Sequence, residues 1–263
     1  MVRRILATAL SLALACAYAP LSAFAQDAVS ATADYSAKFS FSDTGIAVEE
    51  TEGASAGYSI SGTTLTITKA GTYDISGSCK EGAIEVKKGS ADVVLVLDGL
   101  DLACSTTAPL VVKKGSTVSI HLADKTTSTL TDNEGPSTED SNEDFEGAAL
   151  KVKSDATSSS SVTFCGGGDL NVVANAKNGI KGGACGTITF NQSGTIAVSG
   201  SANYRGGTQT GAAVNNGIAC DGSLVFNQGS FVVKAANDGI KSAPDVADAR
   251  HFTTDLTHSL RTL

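Results

Sequence analysis

One tripeptide recurs at a fixed phase and constrains the fold of this chain more than any other feature. Asn178-Gly179-Ile180, Asn216-Gly217-Ile218 and Asp238-Gly239-Ile240 carry the same signal; Ile218 and Ile240 stand 22 positions apart, Ile180 and Ile218 38 apart. The longer interval contains a Gly/Thr/Asn-rich insertion from Ala202 to Asn215. Between the marks lie Ile188-Thr189-Phe190-Asn191-Gln192 and Leu224-Val225-Phe226-Asn227-Gln228, each followed by a second apolar alternation. Val162-Thr163-Phe164-Cys165, with Leu170 and Val172, reads as a third copy. A circuit of about 22 residues with three short strands and three bends is one coil of a β-solenoid, each coil burying its apolar side with the next. Parallel crossovers are overwhelmingly right-handed, so the expected fold is all-β, a right-handed parallel β-helix. A sandwich or barrel would instead place Asn-Gly in hairpins between strands of opposite direction, without a recurrent coil mark.

The upstream half agrees with an all-β chain. Leu65-Thr66-Ile67, Tyr73-Asp74-Ile75, Ala83-Ile84-Glu85-Val86, Val93 to Leu97, Val118 to Leu122 and Ala149 to Val152 alternate with period two between Gly, Asp, Asn and Ser. No stretch beyond the N-terminus offers ten residues of helical period. In a coil, Asn178, Asn216 and Asp238 would form a structural ladder. Each side chain stacks on the next and bonds backbone at the bend, while the following Gly takes positive φ. The rival role for these three is sugar or cation binding.

The N-terminus reads as an export signal. Arg3 and Arg4 precede the apolar run Ile5 to Leu21, and Ala23-Phe24-Ala25 supplies a small-residue cleavage site. Ala13-Leu14-Ala15-Cys16 is a weaker lipobox-like alternative that would anchor the chain through Cys16. The expected division is a signal peptide (1–25), a polar segment (26–57), a β-helical carbohydrate-binding domain (58–245) and an unpatterned tail (246–263). The protein is expected outside the cell or at its surface, as a monomer, with no membrane span in the mature chain. Removal of residues 1–25 takes two Arg and no acid, leaving 17 basic against 27 acidic residues, a net charge of −10. Such a chain is a poor nucleic-acid binder, because that affinity comes from neutralising phosphates.

Five cysteines follow the signal, an odd number. Cys79 and Cys104 precede their next apolar strands by similar intervals, as do Cys185 and Cys220, so Cys79–Cys104 and Cys185–Cys220 are the candidate disulfides. Cys165 is left over. His121, between Ile120 and Leu122, points outward from its strand with no visible partner.

The order Gly71-Thr72-Tyr73-Asp74-Ile75-Ser76-Gly77, Ile84-Glu85-Val86, Val96-Leu97-Asp98-Gly99-Leu100-Asp101-Leu102, Ala108-Pro109-Leu110, Gly147-Ala148-Ala149-Leu150 and Gly166-Gly167-Gly168-Asp169-Leu170 resembles a family of secreted bacterial carbohydrate-binding proteins. The Asn/Asp-Gly-Ile marks complete the resemblance, which spans roughly Gly71 to Asp245. It implies a polysaccharide-lyase-like parallel β-helix of the cellulose- and pectin-binding type. It also implies plant-type polysaccharides, acidic ones included, as partners, calcium bound on the helix, and no established catalysis. Members of that family usually continue for further coils, whereas Arg250 to Leu263 has no coil periodicity, which suggests a truncation or a shifted reading frame.

Candidate chemistry is sparse. Asp132, Glu134, Glu139, Asp140, Glu143, Asp144 and Glu146 crowd one stretch and would suit calcium, which takes six to eight oxygens, or form a solvated acidic loop. Calcium would also let an acidic protein hold an acidic glycan by bridging carboxylates. Lys181 and Lys241 occupy equal phases after the Gly-Ile marks, with Lys177 nearby, where a lyase would place its base and a binding protein its cations. Without Trp, a flat aromatic sugar platform is small; Tyr204 beside Arg205 is the best stacking candidate. The favoured reading is a non-catalytic carbohydrate-binding protein. The alternatives are a β-helical pectate-type lyase and a structural or adhesive surface protein.

Overall fold

The computed structural model describes residues 35–50, 57–134, 146–199, 216–235 and 238–242, and every regular element among them is a strand. β1 (Ala37–Ser42) and β2 (Gly45–Glu50) form an antiparallel hairpin, as do β3 (Tyr58–Ser61) and β4 (Thr64–Ile67). The first hairpin falls in the stretch read from sequence as polar and unpatterned, although Ala37, Phe39 and Phe41 alternate inward. All other ladders between the described strands are parallel.

From β4 onward the chain alternates between two sheets. The first takes β5 (Gly71–Cys79), β7 (Val93–Leu97), β8 (Asp101–Cys104), β10 (Thr117–Leu122), β11 (Thr127–Asp132), β13 (Ser161–Gly166), β14 (Asp169–Ala174), β16 (Thr187–Ser199) and β18 (Ser223–Lys234), together with the first hairpin. The second takes β6 (Ala83–Val86), β9 (Leu110–Val112), β12 (Ala148–Val152), β15 (Asn178–Gly182), β17 (Ile218–Cys220) and β19 (Ile240–Ser242), together with the second hairpin.

This arrangement corrects the expected right-handed parallel β-helix. In the first sheet the pairings run β5-β7-β10-β13-β16-β14-β11-β8 and return to β5, closing eight parallel strands into a barrel rather than leaving separate solenoid sheets. The closure rests on two long strands. β5 pairs with β7 through Gly71–Ile75 and with β8 through Ser78 and Cys79. β16 pairs with β13 at its start and β14 at its end. Each therefore carries its ladder through a position where the sequence pattern marks a break. In β16 the passage shows as register shifts around Asn191.

One apolar core lies inside, fed by alternate residues of both sheets. Three phenylalanines stack along it. Phe164 and Phe190 lie 5.0 Å apart with rings nearly parallel, Phe226 continues at 4.9 Å, and Phe231 meets both Phe190 and Phe226 edge-on. Aromatic pairs in such geometry add about 0.5–1.5 kcal/mol each beyond area burial.

The recurrent Gly serves close approach rather than a left-handed turn. Gly179 and Gly217 lack positive φ, but a Cβ on Gly217 would stand 2.2 Å from Val233 Cγ1 and 2.6 Å from the Gly239 carbonyl oxygen. A Cβ on Gly179 would meet Val198 and Gly217 in the same way. The three marks lie directly on one another: Ile180 N–H donates to Gly217 O and Ile218 N–H to Gly239 O, each at 2.9 Å.

Candidate functional site

The outer face of the second sheet gathers the cations. Its ladders set Glu85, Val111, Lys151, Lys181, Ala219 and Lys241 in one row across the strands, Lys151 directly beside Lys181. Neighbouring strands lie about 4.8 Å apart. Lys151 and Lys181 are thus adjacent like charges on one face, and Lys241 stands about 10 Å beyond Lys181. Lys113 and Lys153 flank the row, with side chains only 29% and 24% exposed, and Lys181 is 21% exposed. Burial lowers the pKa of Lys151; Glu146 opposes that shift, and the charges of Lys181, Lys153 and Lys177 deepen it.

Four acids face these five lysines. Glu146, almost fully buried, places Oε1 2.6 Å from Lys153 Nζ and 4.0 Å from Lys113 Nζ, and its carbonyl accepts from Lys151 Nζ at 2.9 Å. Glu85 pairs with Lys113 at 3.1 Å, Asp221 takes Lys181, and Asp238 stands 3.8 Å from Lys241. Of the residues expected to bind sugar, Lys181 and Lys241 thus share this row, while Tyr204 and Arg205 lie outside the described residues. Lys151 escaped the sequence reading although Ala149-Leu150-Lys151 matches Gly179-Ile180-Lys181 in phase.

Three of the seven acids proposed for calcium have other work. The Asp132 side chain points inward from the end of β11, where Oδ1 accepts the Glu134 N–H at 2.8 Å and Oδ2 is buried without a partner. Burial pushes its pKa up to about 7, outweighing the backbone hydrogen bond from Glu134. The Glu134 carboxylate accepts the N–H groups of Glu146 (3.1 Å) and Gly147 (2.8 Å), tying together the two ends of the segment 135–145. Hard cations need several free, ionised oxygens. Asp132, Glu134 and Glu146 therefore do not fit a calcium centre, and among the described residues no group of three or more His, Cys, Asp or Glu does. Glu139, Asp140, Glu143 and Asp144 lie outside the described residues.

The Asn/Asp marks hydrogen-bond in sequence. Asn178 Nδ2 donates to Gly147 O, Asn178 Oδ1 accepts from the Asn216 N–H, and Asn216 Oδ1 accepts from the Asp238 N–H, the last two at 3.2 Å. Each side chain that lends its oxygen this way has that atom committed to backbone.

The cysteine pairings are corrected: Cys79, Cys104, Cys165, Cys185 and Cys220 are all free thiols. Cys79 falls opposite Leu102, because the bend leading into β9 is longer than the one leading into β6, and Cys104 falls opposite Asp132. Cys220 lies opposite Gly182, whereas Cys185 sits exposed on the turn that follows, at φ 58°. Cys165 has a partner the sequence reading missed. It pairs in register with His121, Sγ 3.5 Å from Nδ1, and His121 is 7% exposed rather than solitary on the surface. Burial raises the Cys165 thiol and lowers the His121 imidazole, so the neutral pair lacks the thiolate that nucleophilic chemistry requires.

Fold and site together define an all-β protein with parallel strands and a lysine-lined outer sheet, and among the described residues no helix is long and apolar enough to cross a membrane. A family model for carbohydrate-binding domain-containing proteins matches residues 61–254, and the chain belongs to that family. A carbohydrate-binding domain-containing protein of Acetivibrio thermocellus is 34% identical over 150 residues, 57% of this chain and 49% of that one, so the chain spans about half the length of the curated relative it matches. The structure of a polysaccharide lyase-like protein from C. thermocellum, solved as a gadolinium derivative, is similar with a TM-score of 0.61 and 29% identity, covering 81% of this chain and 76% of that one.

Proposed function

We propose that this is an exported, non-catalytic carbohydrate-binding protein for plant-type or acidic polysaccharides. The observation that carries the reading is membership of the carbohydrate-binding family over residues 61–254. The basic start, apolar run and Ala23-Phe24-Ala25 of the N-terminus support export. The described ionisable groups favour binding over chemistry. Lys151 and Lys181 act as donors to Glu146 and Asp221, and Cys165 and His121 face each other uncharged.

One observation favours a second reading, a polysaccharide lyase. Burial and neighbouring lysines move Lys151 toward the neutral amine, the form in which a lysine could take the proton α to a uronate carboxyl. A glycan array, with and without calcium, tests the first reading; a blank array would favour a structural or adhesive role. Incubation with polygalacturonate, followed by absorbance of unsaturated products, tests the second. Binding with flat absorbance supports the binding protein. A rise abolished by Lys151→Ala would establish the lyase.

A further inference from the structure

A protein with mature charge −10 should repel an acidic glycan, yet on one face of this molecule five lysines (Lys113, Lys151, Lys153, Lys181, Lys241) meet four acids (Glu85, Glu146, Asp221, Asp238). At physiological ionic strength, charges beyond about 8 Å are largely screened, so a bound group feels its own neighbourhood rather than the net charge. On the outer face of the second sheet that neighbourhood is mostly lysine, with Asp221 paired to Lys181 and Glu146 to Lys153. Lys151 feels Lys153, Lys177 and Lys181, with Glu146 as the one acid acting on it.

The arrangement is unfavourable for the sheet alone. Like charges directly opposite on neighbouring strands destabilise a ladder. Lys151 and Lys181 are nonetheless in register, and Val111 and Ala219, in the same row, are 3% and 1% exposed. The lysine stems thus share a row with buried apolar side chains, as long cationic side chains do when their stems pack and their heads reach outward. The one acid acting on Lys151 turns a single oxygen, Oε1, to both Lys153 and Lys113 and offers Lys151 a carbonyl rather than a carboxylate.

We propose that the Lys151–Lys181 pair, flanked by Lys153 and Lys177, is a seat for the carboxylate of a uronate unit in an acidic polysaccharide, without a bridging metal ion. Lys241, about 10 Å along the row from Lys181, gives a polymer lying across the strands a second cation. The inference rests on the carbohydrate-binding reading and adds to it the place and the recognised group.

The test uses the full mature chain in excess chelator and calorimetric titration with two forms of one oligomer, oligogalacturonate and its methyl-esterified counterpart, which lacks the charge. Wild type is expected to bind the free acid at least tenfold more tightly than the ester, with affinity falling as salt rises. Lys151→Met with Lys181→Ala should remove that preference while circular dichroism stays unchanged. Glu146→Gln keeps the carbonyl that Lys151 uses but discharges the opposing carboxylate, and should raise affinity for the free acid a few-fold. Equal binding of acid and ester, binding that requires calcium, or an unaffected double variant overturns the lysine seat. Wild type that binds neutral glycans without preferring the acid overturns the seat and leaves the carbohydrate reading standing. Wild type that binds no glycan at all overturns both.

Discussion

Asp132 gives the sharpest prediction, because its buried carboxyl has one satisfied oxygen and one without a partner. Its pKa in the fold is about 7 against a reference of 3.8, raised chiefly by burial. The sign follows from linkage. The folded state holds this proton more tightly than the unfolded chain, so its contribution is fully present below pH 3.8 and is lost as pH rises through 7. At about 1.4 kcal/mol per unit, the loss approaches 4 kcal/mol by pH 8, an upper bound because buried sites relax. Asp132→Asn keeps an oxygen for the Glu134 N–H and cannot ionise. The two proteins should therefore differ by no more than about 1 kcal/mol at pH 4, whereas at pH 8 the variant should be the more stable by several kcal/mol. Urea unfolding at half-unit intervals, followed by tyrosine fluorescence because the chain has no Trp, measures the difference. Parallel stability curves from pH 4 to 8 would refute the argument. Asp132→Ala should be destabilising at pH 4, where Asp132 is protonated and the Glu134 N–H simply loses its acceptor.

Three other outcomes follow from packing and thiol geometry. Gly217→Ala should cost about 1–3 kcal/mol, read as a lowered denaturation midpoint, because backbone stands within 2.6 Å of the new Cβ. Phe190→Ala should cost about 3–5 kcal/mol, since this ring touches Phe164, Phe226 and Phe231 at once. In a thiol assay, Cys185 should react in the native protein and Cys79, Cys104 and Cys220 only on unfolding. A single reactive thiol in unfolded, unreduced protein would instead restore both disulfides.

What could be read from the sequence depended on phase, and what could not depended on continuity. Period-two alternation and the Asn/Asp-Gly-Ile marks fixed which residues share a row: Ile180, Ile218 and Ile240 do lie in register. The same phases place further side chains. Ser128, Leu130 and Asp132 share one parity, so an inward Asp132 was already implied, as were Lys151 beside Lys181 and Cys165 beside His121. Phase failed where bends differ in length, which is why Cys79 faces Leu102 instead of Cys104. Ring closure is a different kind of property. A strand that ends at a bend and a strand that carries its ladder through the bend show the same alternation on either side. Only backbone geometry at Gly77 in β5 and around Asn191 in β16 separates the two cases. The lysine face has a similar logic, since its members come from strands far apart in the chain and become one charged surface only when the ladders align them. In that surface Lys113, Lys153, Lys181 and Lys241 each have a carboxylate partner whereas Lys151 meets only a carbonyl, so Lys151 is the point of the row where a ligand's negative charge would add most.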